Sequence, residues 1–334
     1  MKKALLLLAS AALLFAGCQK EQIAGTDGNG ETVQVTVTAG LDGTATKAAA
    51  DLDGNAAKVN HWVFEVLDAG GKIFYREVRT PEAGTLTQTY NVSLIKNQNY
   101  ELLFWADSAG VYYNTENLQE VSLKTPATYK ANLDSRDAFS AHKSITANGT
   151  PVSVELKRPF AQINVITTDL AALWEQAAKS AKQDSVYAAN KPVDFVAKIK
   201  VPTTFDVLNQ SCGLPSEEDV IMMADSCYVA YKADKKTPKD STNYLLHLNP
   251  ATLYMDYVFA SAGENDVIDI NFSFKSNSKE ISYDFTSIPV QANYRTNIKG
   301  KLLSNDTEIT VTIVPTWLNP EKDVDYPQEE QGQD

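Results

Sequence analysis

The chain has 334 residues, 43% of them hydrophobic, and a formal net charge of −12 from 42 acidic and 30 basic side chains. An acidic chain with scattered Lys and Arg is a poor partner for nucleic acid or an anionic membrane surface, so the charge reads as a solvated, self-repelling exterior. The length exceeds what one hydrophobic core usually fills, and two domains are expected.

At the N-terminus Lys2 and Lys3 precede an unbroken apolar and small-residue run from Ala4 to Ala16, then Gly17 and Cys18. This is the pattern of a secretory signal, and its apolar run is too short to span a bilayer. Phe15-Ala16-Gly17-Cys18 resembles the lipobox of a bacterial lipoprotein, in which the thiol is lipidated and becomes the first residue of the mature chain. Residues 1–17 are therefore assigned to a signal peptide and Cys18 to lipidation, which anchors the protein to a membrane without crossing it. The alternative is an ordinary secretory signal that contains a cysteine. Residues 18–31 are polar and without periodicity, and read as a tether.

Thr32 to Ala39 (TVQVTVTA) alternates Val33, Val35 and Val37 with polar residues, which marks a half-buried first strand. Gly40 to Lys58 is too long and too weakly patterned for a tight hairpin, and reads as a protease-accessible loop. Asp51, Asp53 and Asn55 fail as a calcium loop, because Gly54 comes before the sixth position that needs it and Trp62 stands where the closing Glu should be. No metal or cofactor is expected.

Strands follow at Val59 to Leu67 and Lys72 to Val78, joined by Asp68-Ala69-Gly70-Gly71, then at Leu86 to Leu94, Tyr100 to Ala106 and Val152 to Leu156. Short β-branched and aromatic runs broken by Gly, Asn, Asp and Pro indicate an antiparallel sandwich, assigned residues 32–157. His61 and His142 have no nucleophile or second His close by in sequence, and read as satisfied or exposed side chains.

A second sandwich is assigned residues 158–318. It begins with Phe160 to Thr167 and carries one helical insertion, Asp169 to Ser185, where Leu170, Leu173, Trp174, Ala177, Ala178 and Ala181 fall at helical spacing and Asp169 is placed to cap. Further strands are expected at Phe195 to Val201, Tyr228 to Lys232, Tyr244 to Leu248, Thr252 to Phe259, Val267 to Phe274, Glu280 to Phe285, Asn293 to Leu303 and Glu308 to Val314. In VIDINFSF the alternation places Ile268, Ile270, Phe272 and Phe274 on one side of the sheet. Residues 319–334 form an acidic tail expected to be mobile. Beyond Cys18 only Cys212 and Cys227 remain. In an oxidising compartment they can close a disulfide around fourteen intervening residues, and two separately buried free thiols are the equal alternative.

The motifs of chemistry are absent. There is no Gly-x-Ser-x-Gly elbow, no His-Glu-x-x-His, no phosphate-binding Gly loop and no Cys-His pair, and three isolated histidines leave little to serve as general base. The chain is not expected to be an enzyme.

The lipobox, TVQVTVTA, the basic residue in the loop after it, VNHWVFEVLDAGGKIF, LKRPFAQINV at midchain, and NYRTNIKGKLL followed by ITVTIVPTW together resemble the fimbrillin superfamily of Bacteroidales, the type V pilins and their accessory subunits. The resemblance implies an all-β chain of two tandem antiparallel Greek-key, transthyretin-like β-sandwich domains. It also implies export as an outer-membrane lipoprotein and a place at the cell surface in a fimbrium. In that family a trypsin-like protease cuts after a basic residue in the first long loop, and a strand from a neighbouring subunit fills the groove left by the first strand. By position Lys47 is the matching residue. The partners so implied are other pilus subunits, and the function is that of a structural or adhesive subunit. A monomeric surface lipoprotein is the alternative, binding a glycan or host protein through exposed aromatics, chiefly Tyr112, Tyr113 and Tyr129. Asp107-Ser108-Ala109, Asp184-Ser185-Val186 and Asp240-Ser241-Thr242 resemble O-glycosylation sites of these bacteria, which makes Ser108, Ser185 and Ser241 candidates.

Overall fold

The computed structural model describes residues 19–22, 30–41, 58–108, 110–124, 128–170, 191–227, 251–261, 266–304, 306–314 and 324–325, together with positions 56, 172, 176 and 179. Its strands, numbered β1 to β22 in chain order, build two sandwiches and a small sheet between them. In the first sandwich, β1 (Gln19–Gln22), β4 (Ile73–Arg79), β3 (His61–Leu67), β6 (Asn99–Asp107) and β10 (Phe139–Thr146) lie side by side in that order. The opposing sheet is β11 (Val152–Leu156), β2 (Thr32–Leu41) and β5 (Thr87–Ile95). The β3–β4 turn forms where the sequence predicts it. Asp68 Oδ1 accepts from the amides of Gly70 at 2.8 Å and Lys72 at 3.0 Å, and Gly71 takes the φ of +75° that its missing Cβ permits.

Period-two patterning fixes which residues fill the core. Val35, Val37, Ala39 and Leu41 of β2 point inward with Tyr90, Val92 and Leu94 of β5, against Trp62, Phe64 and Val66 of β3. Phe64 stacks on Phe104 of β6 with ring centroids 4.6 Å apart.

The second sandwich pairs β17 (Ala251–Phe259), β12 (Phe160–Thr167), β20 (Arg295–Lys301), β21 (Asp306–Val314) and β22 (Val324–Asp325) in one sheet. The other holds β19 (Lys279–Val290), β18 (Asp266–Ser276), β13 (Val193–Ile199), β16 (Val220–Ser226) and β9 (Thr128–Lys130). Ile268, Ile270, Phe272 and Phe274 all face this core as their alternation requires, although the β18–β19 register shifts between Ile268 and Ile270. The pairing is mixed rather than purely antiparallel. The ladders β2–β11, β12–β20 and β9–β16 are parallel.

A third apolar core joins the two sandwiches. The opposite faces of β3 and β6 supply Val63, Leu67, Leu103 and Trp105, and β17 supplies Met255, Tyr257 and Phe259. Phe160 lies at the centre, 4.9 Å from Phe259, 5.5 Å from Tyr113 and 6.4 Å from Trp105 between ring centroids. The small sheet of β15 (Ser211–Cys212), β14 (Thr204–Asp206), β8 (Val121–Leu123) and β7 (Tyr113–Asn114) closes this core with Phe205 and Val121. Burial on both faces is why HWVFEVL and YELLFWA read as nearly continuous apolar runs.

Several expectations change. Residues 18–31 are not simply a tether, because β1 pairs antiparallel with β4, and the acidic tail contributes β22 to the edge of β21. The stretch before Val152 holds β9 and β10, and VIMMADS forms β16 with Val220, Met222 and Ala224 inward. The expected helix over Asp169–Ser185 lies largely outside the described residues, and the expected strands Tyr228 to Lys232 and Tyr244 to Leu248 lie wholly outside them. The Asp169 carboxylate accepts from the amides of Leu303 at 3.0 Å and Ser304 at 2.9 Å, and so ties β12 to the turn after β20.

Truncating the third core tests whether it couples the sandwiches. Trp105→Ala is expected to cost about 3–5 kcal/mol and to lower the midpoint of one shared urea transition. Two separate transitions with only the first displaced would show that the core does not couple them.

Candidate functional site

The strand marked out by the sequence, β2, is the middle strand of the thinnest sheet. It runs antiparallel to β5 from Thr32↔Ile95 to Gly40↔Thr87 and parallel to β11 from Val37↔Val152 to Leu41↔Leu156. Its inward side chains are closed off from water: Val35 is 1% exposed, and Val37 and Ala39 are 0%. Its outward side chains form polar rungs with β5. Thr36 Oγ1 donates to Asn91 Oδ1 at 2.9 Å, Thr38 and Thr89 hydroxyls lie 3.4 Å apart, and Gln34 Nε2 donates to the Ser93 hydroxyl.

Both ends of β2 are pinned. Lys96 Nζ lies 3.0 Å from both carboxylate oxygens of Glu31, and the Lys96 amide donates to the Glu31 carbonyl at 2.8 Å. At the far end the Leu41 amide donates to the Leu86 carbonyl at 3.0 Å. Gly149 crosses close to the start of the strand at a φ of +83°, where a Cβ would stand 2.9 Å from Val33 Cγ2. A larger residue there meets both the strained backbone and Val33.

Cys18 and Lys47, which bracket this strand in the sequence, lie outside the described residues, as do Ser185 and Ser241. Ser108 is half-buried just past β6. Cys212 and Cys227 are free thiols, so the candidate disulfide is not formed. They belong to different places: Cys212 packs against the third core, and Cys227 packs against the second sandwich with Sγ 3.6 Å from the Pro192 carbonyl oxygen. Burial pushes each thiol up to about 12.

The aromatic loop expected to be exposed is instead built into the junction. Tyr113 is 0% exposed and its hydroxyl donates to the Arg136 carbonyl at 2.6 Å, while the half-buried Tyr112 hydroxyl lies 2.8 Å from Ser135 Oγ. Tyr129 lies under the Arg136 guanidinium, 4.0 Å from ring centroid to Cζ. This corrects the reading of the three tyrosines as a sugar-stacking surface.

What the sequence did not reveal is the polar clamp around them. Residues 128–138 form a strap from the first half of the chain into the second sandwich. The Ala131 amide donates to the Met223 carbonyl at 2.8 Å, and Asn132 Oδ1 accepts from the Met255 amide at 2.7 Å. Arg136 forms a buried ion pair with Asp256, whose carboxylate also accepts from the Tyr254 hydroxyl and the Tyr257 amide. Burial alone favours the neutral guanidine, but the Asp256 carboxylate outweighs it and holds Arg136 charged, above its ordinary range. Beside this pair, Arg158 grips Asp137 through Nε and Nη2, each at 2.7 Å. The motif DSRDAF has no periodicity to distinguish these residues from a solvated loop.

The described histidines are paired with carboxylates. His61 Nδ1 lies 2.6 Å from Asp107 Oδ1, and His142 Nε2 lies 2.6 Å from Glu101 Oε2. Burial tends to raise the Glu101 carboxyl, but hydrogen bonds from Ser144 and His142 bring it below its usual value. Among the described residues no group of three or more His, Cys, Asp or Glu is placed to hold a metal ion, and no helix is long and apolar enough to cross a membrane.

Two measurements check these assignments. Arg136→Met leaves a buried carboxylate unpaired and is expected to cost about 3–5 kcal/mol in urea unfolding, most of it regained when Asp256→Leu is added. The thiols are expected to resist iodoacetamide at pH 8 in the folded chain and to react readily in urea. Because their folded pKa is raised above the usual 9.0, their contribution to stability is complete below that value and is lost as the pH climbs toward 12. Alkylation at equal rates in both states would contradict the burial.

The chain is similar to several solved structures. The tip fimbrial protein Mfa3 from Porphyromonas gingivalis is 13% identical, with 85% of this chain and 99% of that chain covered and a TM-score of 0.48. The fimbrial anchor protein Mfa2 from the same organism is 9% identical over 84% of this chain and 96% of that one, with a TM-score of 0.44. A fimbrial assembly protein from Parabacteroides distasonis is 13% identical over 85% and 95%, with a TM-score of 0.41. No curated protein sequence matches. The model of a family described as a family of unknown function, DUF6562, matches residues 26–330, and the chain belongs to that family.

Proposed function

We propose that this protein is a fimbrillin-like surface lipoprotein, a structural or adhesive pilus subunit that is anchored through Cys18 until a cut following Lys47 frees it to assemble by strand exchange. The observation that carries the reading is the position of β2. It lies between two strands that keep their own attachments, so its loss leaves a slot rather than a collapsed sheet.

β5 turns into β6 through Asn97 at a φ of +63°, and this turn is held by the Asn97 amide on the Ala147 carbonyl at 2.7 Å. β11 is held to β10 by a bridge between Ser140 and Lys157, with amide-to-carbonyl distances of 2.8 and 3.0 Å. Burying Val35, Val37 and Leu41 contributes about 5–9 kcal/mol beyond the backbone ladder, so the uncut strand stays in place. A cut in the loop after β2 ends the covalent link that keeps the strand at about millimolar or higher effective concentration, and a tethered strand from a neighbour then competes for the slot.

The mature chain treated with trypsin tests this. Cleavage after Lys47, a new N-terminus at Ala48 and oligomers that grow with concentration are the expected result. A bond after Lys47 that resists while other loops are nicked, with the chain remaining monomeric, would overturn it.

A further inference from the structure

The slot has two readable faces. Resting on the strand-exchange reading above, we infer that the incoming strand is selected by its outward residues as well as its inward ones, and that the partner is a strand with apolar inward residues alternating with uncharged hydroxyl or amide outward residues. The inward face is a row of closed sites filled by Val35, Val37, Ala39 and Leu41. Such a row asks for apolar alternation with a small residue at the Ala39 site. The outward face is more particular.

Along β5 the outward side chains are Thr87, Thr89, Asn91, Ser93 and Ile95, none of them charged and the first four hydroxyls or amides. Three of them engage β2: Asn91 accepts from Thr36 at 2.9 Å, Thr89 meets Thr38 at 3.4 Å, and Ser93 accepts from Gln34. A generic solvent-facing strand usually carries charged residues at some of these positions, and a charge there finds no counter-charge on β5. Each rung therefore discriminates by side-chain length and hydrogen-bonding role, in the manner of cross-strand pairs elsewhere.

Register is fixed from the inside. A slip of one residue turns every apolar side chain to solvent. A slip of two keeps the faces but brings Val37 or Leu41 to the site of Ala39, which is 0% exposed and sized for a methyl group. The Ala39 site thus acts as a stop that aligns the outer rungs.

The experiment uses the full mature chain cut by trypsin and a fluorescent peptide of sequence TVQVTVTAGL, the chain's own β2, as the stand-in donor. The expected result is saturable binding that weakens about twofold to fivefold for each rung removed, by Thr36→Val or Thr38→Val in the peptide or Asn91→Ala in the protein. Thr36→Val and Asn91→Ala together are expected to cost no more than either alone, because they delete the same bond. Ala39→Leu in the peptide is expected to lose about tenfold. If rung changes have no effect, or multiply independently, while Val37→Ser still abolishes binding, the inference of outer-face selection is overturned and strand exchange stands. If the cut chain takes up no peptide, including the unaltered one, the exchange reading fails and this inference falls with it.

Discussion

The ion pair between Arg136 and Asp256, with side chains 2% and 1% exposed, is the interaction on which the junction of the two sandwiches depends. Removing two charges from water costs more than their attraction returns unless the remaining hydrogen-bonding capacity is also satisfied. Here the surroundings meet that condition. The Tyr254 hydroxyl and the Tyr257 amide donate to the carboxylate, and Tyr129 presents its ring to the guanidinium. These groups come from both halves of the chain, so the pair is complete only when residues 128–138 lie on β16 and β17. The apolar contacts around Phe160 supply most of the burial at the junction, and the ion pair fixes which strap residues meet which strands.

This junction and the removable strand are kept apart. The buried residues of β2 belong to the first core alone, whereas the third core draws on the far faces of β3 and β6. A strand can therefore leave the first sandwich without opening the surface that joins it to the second. The two sheets of the first sandwich are unequal for the same reason. The central strands β3 and β6 of the five-stranded sheet are buried on both faces, and the three-stranded sheet faces water with its outer side.

What could be read from the sequence follows from this arrangement. Strands with one wet face, β2 and β18, carry clean alternation, and that alternation names the residues that point inward. Strands buried on both faces, β3 and β6, lose the alternation but keep length, β-branching and bounding turns. β10 escapes the sequence because Lys143 and Ser144 are exposed and His142 half-buried on an edge strand, and β9 because three residues carry no period. Periodicity was present in β16, where Val220, Met222 and Ala224 alternate with Ile221 and Met223, but two apolar residues on the outer face obscured it. The tyrosines misled for a chemical reason. Tyr112, Tyr113 and Tyr129 sit among polar residues in sequence, and only the fold shows that their polar neighbours are paired with one another. Nothing in residue spacing distinguishes Arg136, matched to a carboxylate far along the chain, from a solvated arginine.

A slot is useful for exchange only if it keeps its shape while empty, because a collapsed groove would have to be reopened at the expense of binding. The walls here are held from outside the missing strand. β5 is fixed at one end by the Asn97 turn and, across the sandwich, by Arg79, which donates to the Thr89 carbonyl at 2.8 Å and lies 4.0 Å above the Tyr90 ring. β11 is fixed by its bridge to β10 and continues almost directly into β12 of the second sandwich, with Arg158 between them locked on Asp137. The buried clamp at the junction thus reaches the slot through one wall. The rigidity that joins the sandwiches also keeps β11 at the distance from β5 that a replacing strand requires.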